Sequence, residues 1–271
     1  MKFIKKILWL NKANQRETYN TSLSDTINNE YPSFCIRAAN NDTVFSSFRT
    51  NPTYTEILEH VDDNMGRKYL DFILQTTCFT EKDFETFRQN DWYGGANIRY
   101  YEEVGYMSPS TLRYIKVLAD LIEYFGDLHD KDICELGVGY GGQARIIMSM
   151  FNVRSYTFID LDSALSLSKK YLSHFKGIEN KLRFICMEDL EVREYDLFLS
   201  NYAFSELRRN IQDIYAEKVI KGAKHGYITF NNIEPKNFNY PLEQYDTLLN
   251  KPIHIADEIP NSHPFNKILT W

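Results

Sequence analysis

The sequence predicts an α/β fold: a doubly wound, mainly parallel sheet with a C-terminal antiparallel strand pair, preceded by a mainly helical N-terminal cap. Three observations predict it. Up to residue 129 the apolar residues fall at three- and four-residue spacing, the period of amphipathic helices. From residue 130 short unbroken apolar runs alternate with helix-compatible stretches, as strands covered on both faces require. Near the end two further short runs flank a Pro-Asn-Ser-His-Pro turn. The chain thus divides into a helical cap over 1–129 and a sheet domain over 130–271.

In the first part Leu112, Ile115, Leu118, Ala119, Ile122 and Phe125 make one apolar stripe over 110–125. Ser108 and Pro109 supply its N-cap and first-turn proline. Residues 54–60 and 67–76 also read as helical, and 90–97, rich in Gly and Asn, as a loop. In the second part the strands are expected at 133–136, 156–159, 182–186, 197–199 and 226–230, with helices over 163–175 and 211–221. The terminal pair is expected at 253–256 and 267–271. An open α/β sheet binds its ligand beyond the carboxyl ends of its strands, so chemistry is expected just after each run.

Composition narrows the function. With 271 residues, 43% hydrophobic and 25% charged, the chain suits one large domain or two smaller ones and excludes disordered and fibrous classes. A formal net charge of −6 argues against nucleic acid and toward a small or neutral partner. Cys35, Cys78, Cys134 and Cys186 form no C-x-x-C pair, so neither a zinc site nor a disulfide framework is signalled. Cys134 and Cys186 fall in apolar runs and read as buried thiols. The first apolar run, residues 7–10, is too short for a secretory core or a membrane span, so a reducing cytoplasm is expected. Lys2, Lys5 and Lys6 beside Phe3, Ile4 and Trp9 read as a packed amphipathic helix.

After the first run comes Glu135-Leu-Gly137-Val-Gly139-Tyr-Gly141-Gly142-Gln143. Glycines let a ligand approach the backbone without meeting a Cβ. Gly137, Gly139 and Gly142 also satisfy the dinucleotide fingerprint, with Asp160 at the right remove, so a nicotinamide oxidoreductase has to be considered. Glu135 weighs against it: a carboxylate at the strand mouth repels phosphates and favours a ligand bearing a sulfonium and an α-amino group. Asp160 can accept two ribose hydroxyls, whereas Asp162 reads as a helix N-cap. Met187, Glu188 and Asp189 offer an apolar lid and an acceptor for an adenine amine. Tyr140 and Tyr202 read as cofactor-side aromatics able to contact a cation.

With E-L-G-V-G-Y-G-G-Q, F-I-D-L-D, L-S-N-Y-A-F-S-E-L and Y-I-T-F-N-N in order, the chain resembles class I S-adenosylmethionine-dependent methyltransferases. More narrowly it resembles the sugar O-methyltransferases of bacterial surface-polysaccharide clusters, through G-Y-G-G-Q, N-Y-A-F-S-E-L and S-x-S-T-L-R-Y-I. The resemblance spans roughly residues 88–271, and it departs at Asn90-Asp-Trp-Tyr-Gly-Gly-Ala96, where that family has N-D-x-I-G-N-P. It implies a Rossmann-like seven-stranded methyltransferase sheet. It implies Glu135, Gly137, Gly139, Gly141 and Gln143 around the methionine part of S-adenosyl-L-methionine, and Asp160 on its ribose. Leu161 and Asn201 complete the expected cofactor set. The acceptor would be a small-molecule or nucleotide-linked sugar, with the cap recognising it and offering a surface on which two subunits can pair.

Transfer to a hydroxyl needs alignment and a base. The candidates are Glu206, Tyr202, His254 and His263, with Glu206, His263 and Tyr202 carried forward, while His225 is set aside because it precedes its strand. Metal-dependent relatives place carboxylates after strands four and five. Here those places hold Asn201, Asn231 and Asn232, so no metal is expected. Two further readings stay open: transfer to a non-sugar oxygen, and a binding protein that keeps the pocket without catalysis.

Overall fold

A computed structural model describes residues 30–77, 79–231 and 238–271 of the chain. The basic and aromatic segment at residues 2–9, Cys78 and Asn232 lie outside the described residues.

The first half is built from short capped helices: α1 (Glu30–Asn40), α2 (Asp42–Phe45), α3 (Pro52–Thr55), α4 (Asp63–Thr76) and α5 (Glu81–Arg88). Asn41, Asn51, Asp62 and Thr80 each accept a first-turn backbone N–H, which is why the chain can restart a helix so often. An antiparallel hairpin follows, β1 (Arg99–Tyr101) and β2 (Gly105–Met107), and then α6 (Pro109–Phe125). The Ser108 hydroxyl caps α6 by accepting the Thr111 N–H at 3.1 Å, and Pro109 opens it.

Arg49, fully buried, ties these pieces together. Its guanidinium donates to Glu59 at 3.1 and 3.2 Å, to Asp91 at 2.9 Å, to the Asn90 carbonyl at 3.1 Å and to the Ser108 hydroxyl at 3.1 Å. Asp91 in turn accepts from the Ser108 N–H and hydroxyl, both at 2.7 Å, and from the Thr111 hydroxyl at 2.8 Å. Both carboxylates are therefore matched by a fork of donors, the arrangement in which a buried ion pair is tolerated.

The sheet domain contains β3 (Asp132–Leu136), α7 (Gly142–Met150), β4 (Ser155–Ile159), α8 (Asp162–Leu172), β5 (Leu182–Ile185), β6 (Tyr195–Asn201), α9 (Arg209–Tyr215), β7 (Ala223–Phe230), α10 (Tyr245–Leu249), β8 (His254–Asp257) and β9 (Lys267–Thr270). Strand order is β5-β4-β3-β6-β7-β9-β8, with β9 alone running against the direction of the other strands. The sheet is Rossmann-like, with the order reversing between β3 and β6. Side chains alternate between its faces. Ile133, Tyr156, Phe158, Leu197 and Leu199 enter one core with the helical half, and Cys134, Leu136, Ile159 and Phe198 enter another beneath α9 and α10. The first core runs without a break from Tyr31 to Ile268.

Three expectations are corrected here. The helix expected over 54–60 stops at Thr55 and runs into a turn over 56–58, after which Glu59 is held by Arg49. The mainly helical cap also holds the hairpin at 99–107, whose strands are too short for period-two patterning to register. The expected stripe of α6 is instead burial on every side from Pro109 to Leu121, with Lys116 and Asp120 paired at 2.6 Å inside. The helix expected over 211–221 ends at Tyr215 and continues as one π turn, Ala216–Ile220.

Arg49→Met leaves the Glu59 and Asp91 carboxylates buried without their cation. It should lower the unfolding free energy by about 3–5 kcal/mol in urea titration, because removing one partner of a buried pair strands the other.

Candidate active site

A cavity of about 520 Å³ opens at the carboxyl ends of the central strands. Its walls come from the segments after β3, β4, β5 and β6, and its roof from Leu58, His60, Met65 and Tyr69 of the helical half with Ser262, His263 and Asn266. This is where the switch in strand order leaves a crevice.

The glycine loop is shaped by its own hydrogen bonds. Gly137 lies at φ +80 against Ala203, where an added Cβ would come within 2.1 Å of the alanine Cβ. The Gly137 N–H donates to the Ile159 carbonyl at 2.9 Å and the Gly141 N–H to the Val138 carbonyl at 2.9 Å. The Gly139 N–H donates to Asp160 Oδ2 at 3.1 Å, while Asp160 Oδ1 accepts the Leu161 N–H at 2.7 Å. Three loop amides that would cradle a pyrophosphate are thus already used, one of them by a carboxylate. A dinucleotide fits this loop poorly.

Glu135 stands on the floor of the cavity and is 2% exposed. The alternation of β3 points it to the same side as Ile133, where the Tyr156 hydroxyl donates to Oε2 at 2.8 Å. Burial pushes its carboxyl from the ordinary 4.5 up to about 8, Tyr156 pulling it down and the Asp160 charge adding to the rise. Burial likewise raises Asp160 to about 6, against the pull of the three backbone N–H groups it accepts. Beside them Gln143 donates to the Tyr114 carbonyl at 3.1 Å, and its Oε1 is a buried acceptor with no donor among the described residues. This end of the cavity is therefore built to receive a ligand with hydrogen-bond donors and positive charge.

At the other end Glu206 Oε1 accepts from Asn231 Nδ2 at 2.8 Å. Tyr202, held at φ +67, donates its hydroxyl to Glu258 at 2.5 Å. Glu258, 3% exposed, also accepts the Ser262 N–H at 3.1 Å, the Ser262 hydroxyl at 2.6 Å and Asn266 Nδ2 at 3.2 Å. It thereby fastens the β8–β9 connection, with His263 at its exposed lip, over the mouth. Burial drives the Tyr202 phenol further up, so it remains a donor.

Glu135, Gly137, Gly139, Gln143, Asp160, Leu161, Glu188, Asn201, Tyr202, Glu206 and His263 all line the cavity. Tyr140, Gly141 and Asp189 do not. Tyr140 points behind the loop into the core, edge-on to Tyr171 at 4.7 Å and beneath Arg49 at 4.9 Å. Gly141 is the left-handed N-cap of α7 and faces Leu172. Asp189 ends a short turn, Met187–Asp189, that aims it at solvent. The cation nearest the Tyr202 ring is Arg113, at 6.0 Å. Asp162 is not an N-cap but the first residue of α8, at the cavity edge. Cys186 is half-buried there too, its thiol 3.4 Å from Asp162 and pushed up to about 12 chiefly by desolvation. Cys134 is buried as expected, and His225 lies on β7 away from the cavity.

Sequence reasoning missed Arg113, His60, Tyr69 and Glu258. Arg113 had a signal, being a charge set within an apolar helix stripe. The other three come from distant segments and had none. Among the described residues no three His, Cys, Asp or Glu side chains are grouped to hold a metal ion, and no helix is long and apolar enough to cross a membrane.

No family model matches the chain, and no curated protein matches its sequence. Similar folds occur among solved structures. The magnesium protoporphyrin IX methyltransferase ChlM of Synechocystis PCC 6803, with bound S-adenosylmethionine, is 16% identical over 58% of this chain and 76% of its own, at TM-score 0.46. Phosphoethanolamine N-methyltransferase 2 of Haemonchus contortus, in complex with S-adenosyl-L-methionine, is 17% identical over 71% of this chain and 46% of its own, at TM-score 0.45. An S-adenosylmethionine-dependent methyltransferase of Mesorhizobium loti is 11% identical over 56% of this chain and 94% of its own, at TM-score 0.44. At this distance the likeness is one of fold alone.

The raised carboxyls set a pH dependence. Between about 4.5 and 8 the native chain keeps protons that the unfolded chain has lost, so stability falls as pH rises through that window. Urea unfolding at a series of pH values should show this slope, and Glu135→Gln should remove its upper part, between about 6 and 8.

Proposed function

We propose that the chain is an S-adenosylmethionine-dependent O-methyltransferase acting on a sugar hydroxyl, with 130–271 holding the donor and 1–129 recognising the acceptor. One observation carries the donor half of this reading: the cavity wall around Glu135. Asp62, Glu135, Asp160, Asp162, Glu188 and Glu206 line the cavity against the single guanidinium of Arg113. At the glycine-loop end, where Glu135 and Asp160 stand, such a wall attracts a cationic ligand and disfavours a pyrophosphate laid on the loop amides.

The residues fit the donor group by group. Glu135 and the partnerless Gln143 Oε1 suit an α-amino group, the open lone pairs of Asp160 suit ribose hydroxyls, and Met187 with Glu188 suit an adenine and its amine. When bound, the donor supplies a methyl group on a sulfonium, an electrophile that needs no metal. Taking up a cation beside Glu135 favours its ionised form, so binding releases a proton near neutral pH.

The remainder of the cavity is lined by tyrosine, amide and hydroxyl groups, among them Tyr69, Tyr202, Asn201, Asn231 and Ser262, which suit a hydroxyl-rich acceptor. Glu206 is the base of this reading. Its Oε1 is anchored by Asn231, and the carboxylate takes the hydroxyl proton as the acceptor oxygen loses it. His263 at the lip can relay that proton outward, and Tyr202, committed to Glu258, orients the acceptor. The free thiols Cys35, Cys134 and Cys186 suit a reducing cytoplasm.

Calorimetry tests the donor and labelled transfer tests the acceptor. The chain should bind S-adenosylhomocysteine and not NADH, and Glu135→Gln should weaken that binding about tenfold or more, the worth of a charge-assisted hydrogen bond. Glu206→Gln should leave binding intact and lower transfer from labelled donor to nucleotide-linked sugars by about 10²- to 10⁴-fold. Tight NADH binding without S-adenosylhomocysteine binding would sink the reading.

A further inference from the structure

The described residues of the cavity include one strong cation, Arg113, which makes no direct ion pair among them; the Glu59 charge acts on it only from a distance. Arg113 is 8% exposed and lies on α6, facing the cavity between the rings of Tyr114, 5.5 Å away, and Tyr202, 6.0 Å away. A guanidinium has five N–H donors and stays charged at every accessible pH. Here one of them donates to the Leu58 carbonyl at 3.1 Å, and among the described residues Arg113 makes no other hydrogen bond and no ion pair. The carboxylates within reach are committed elsewhere. Both oxygens of Glu59 are taken by Arg49, and Glu258 accepts from Tyr202, Ser262 and Asn266.

The other buried cations show how unusual this is. Arg49 has two carboxylates, and Lys116 has Asp120 at 2.6 Å. Arg145 has no carboxylate, but it donates to the Thr86 carbonyl at 2.7 Å and the Gln89 amide at 3.0 Å and faces no cavity. A buried charge without a partner is costly, and a chain that keeps one at a cavity wall keeps it for something that arrives. His60, on the same wall, is held neutral by desolvation and by the Arg113 charge, its imidazole lowered to about 4, so it adds no second cation.

We propose that Arg113 is the seat of an oxyanion, a carboxylate or phosphate, carried into the cavity by a ligand. The flat fork of donors matches either group. Two ligands can bring it: the α-carboxylate of the methyl donor, an option that rests on the function proposed above, or an acidic group on the acceptor, as in a uronic acid or a sugar phosphate.

The test is calorimetry on the full chain and on Arg113→Met, with four probes: S-adenosylhomocysteine, 5′-methylthioadenosine (which lacks the carboxylate), inorganic phosphate and D-glucuronate. If the donor brings the oxyanion, the variant loses about 10- to 100-fold in affinity for S-adenosylhomocysteine and none for methylthioadenosine. If the acceptor brings it, both nucleosides bind the variant normally, and phosphate or glucuronate binding by the wild type is lost. Equal behaviour of the two proteins toward all four probes overturns the proposal. A variant that loses methylthioadenosine too has lost the pocket, and Arg113→Gln is then read by the same rules. A wild type that binds neither nucleoside defeats the proposed function alone. Phosphate and glucuronate then decide Arg113, loss in the variant upholding the seat and equality removing it.

Discussion

The site depends on one buried charge network, Arg49 with Glu59 and Asp91. The glycine loop and the sheet alone make an open crevice. What turns the crevice into a cavity is a roof from the helical half, and Arg49 holds that roof in place. By fastening Glu59 it fixes the two flanking residues, Leu58 and His60, at the cavity wall. By fastening Asp91 and Ser108 it sets the first turn of α6, and so the rotation that aims Arg113 into the cavity. Its stacking on Tyr140 links both to the back of the glycine loop. A shift in this network would thus be felt in the roof, the helix and the loop at once, because all three share its donors.

The glycine loop shows why a sequence pattern can suit two unlike ligands. Gly137, Gly139 and Gly141 have positive φ, and the same string serves a dinucleotide when its amides face a pyrophosphate. Asp160 decides the matter here by accepting the Gly139 amide from the next strand. A carboxylate sitting on the loop reverses the sign of the field that a phosphate would meet. Glu135 deepens the effect, and its partial neutralisation by burial lets the chain fold without a resident counter-ion.

Much of this was legible along the chain, for physical reasons. The strands, α6 with its Ser108-Pro109 start, and Glu135 and Asp160 at strand ends are set by local spacing and by the topology of an open sheet. Tyr140 was not legible. A loop residue between two left-handed glycines gives no sign of which way it points, and here the pull of Phe48, Tyr171 and Arg49 decides. Glu258 and Tyr202 are 56 residues apart, and their hydrogen bond exists only because β8 and β9 fold back beside β7. Asp162 and Asp189 differ only by where a helix or turn happens to begin, to within a residue or two, which spacing does not resolve.

The charges of the cavity also say something about stability. Glu135 is held largely protonated at neutral pH, and among the described residues Gln143 Oε1 has no donor and Arg113 no ion pair, each a local cost to the ligand-free fold. These costs call for donors at one point of the wall and for an acceptor at another, so no single internal rearrangement cancels them. Moving Glu258 to Arg113 would release Tyr202 and the roof segment it holds. A ligand carrying positive charge at one point and negative charge at another relieves them together. Binding such a molecule stabilises the native chain by mass action, beyond what its contact area alone would give. The strain in the wall is therefore what a zwitterionic or doubly charged set of ligands would discharge.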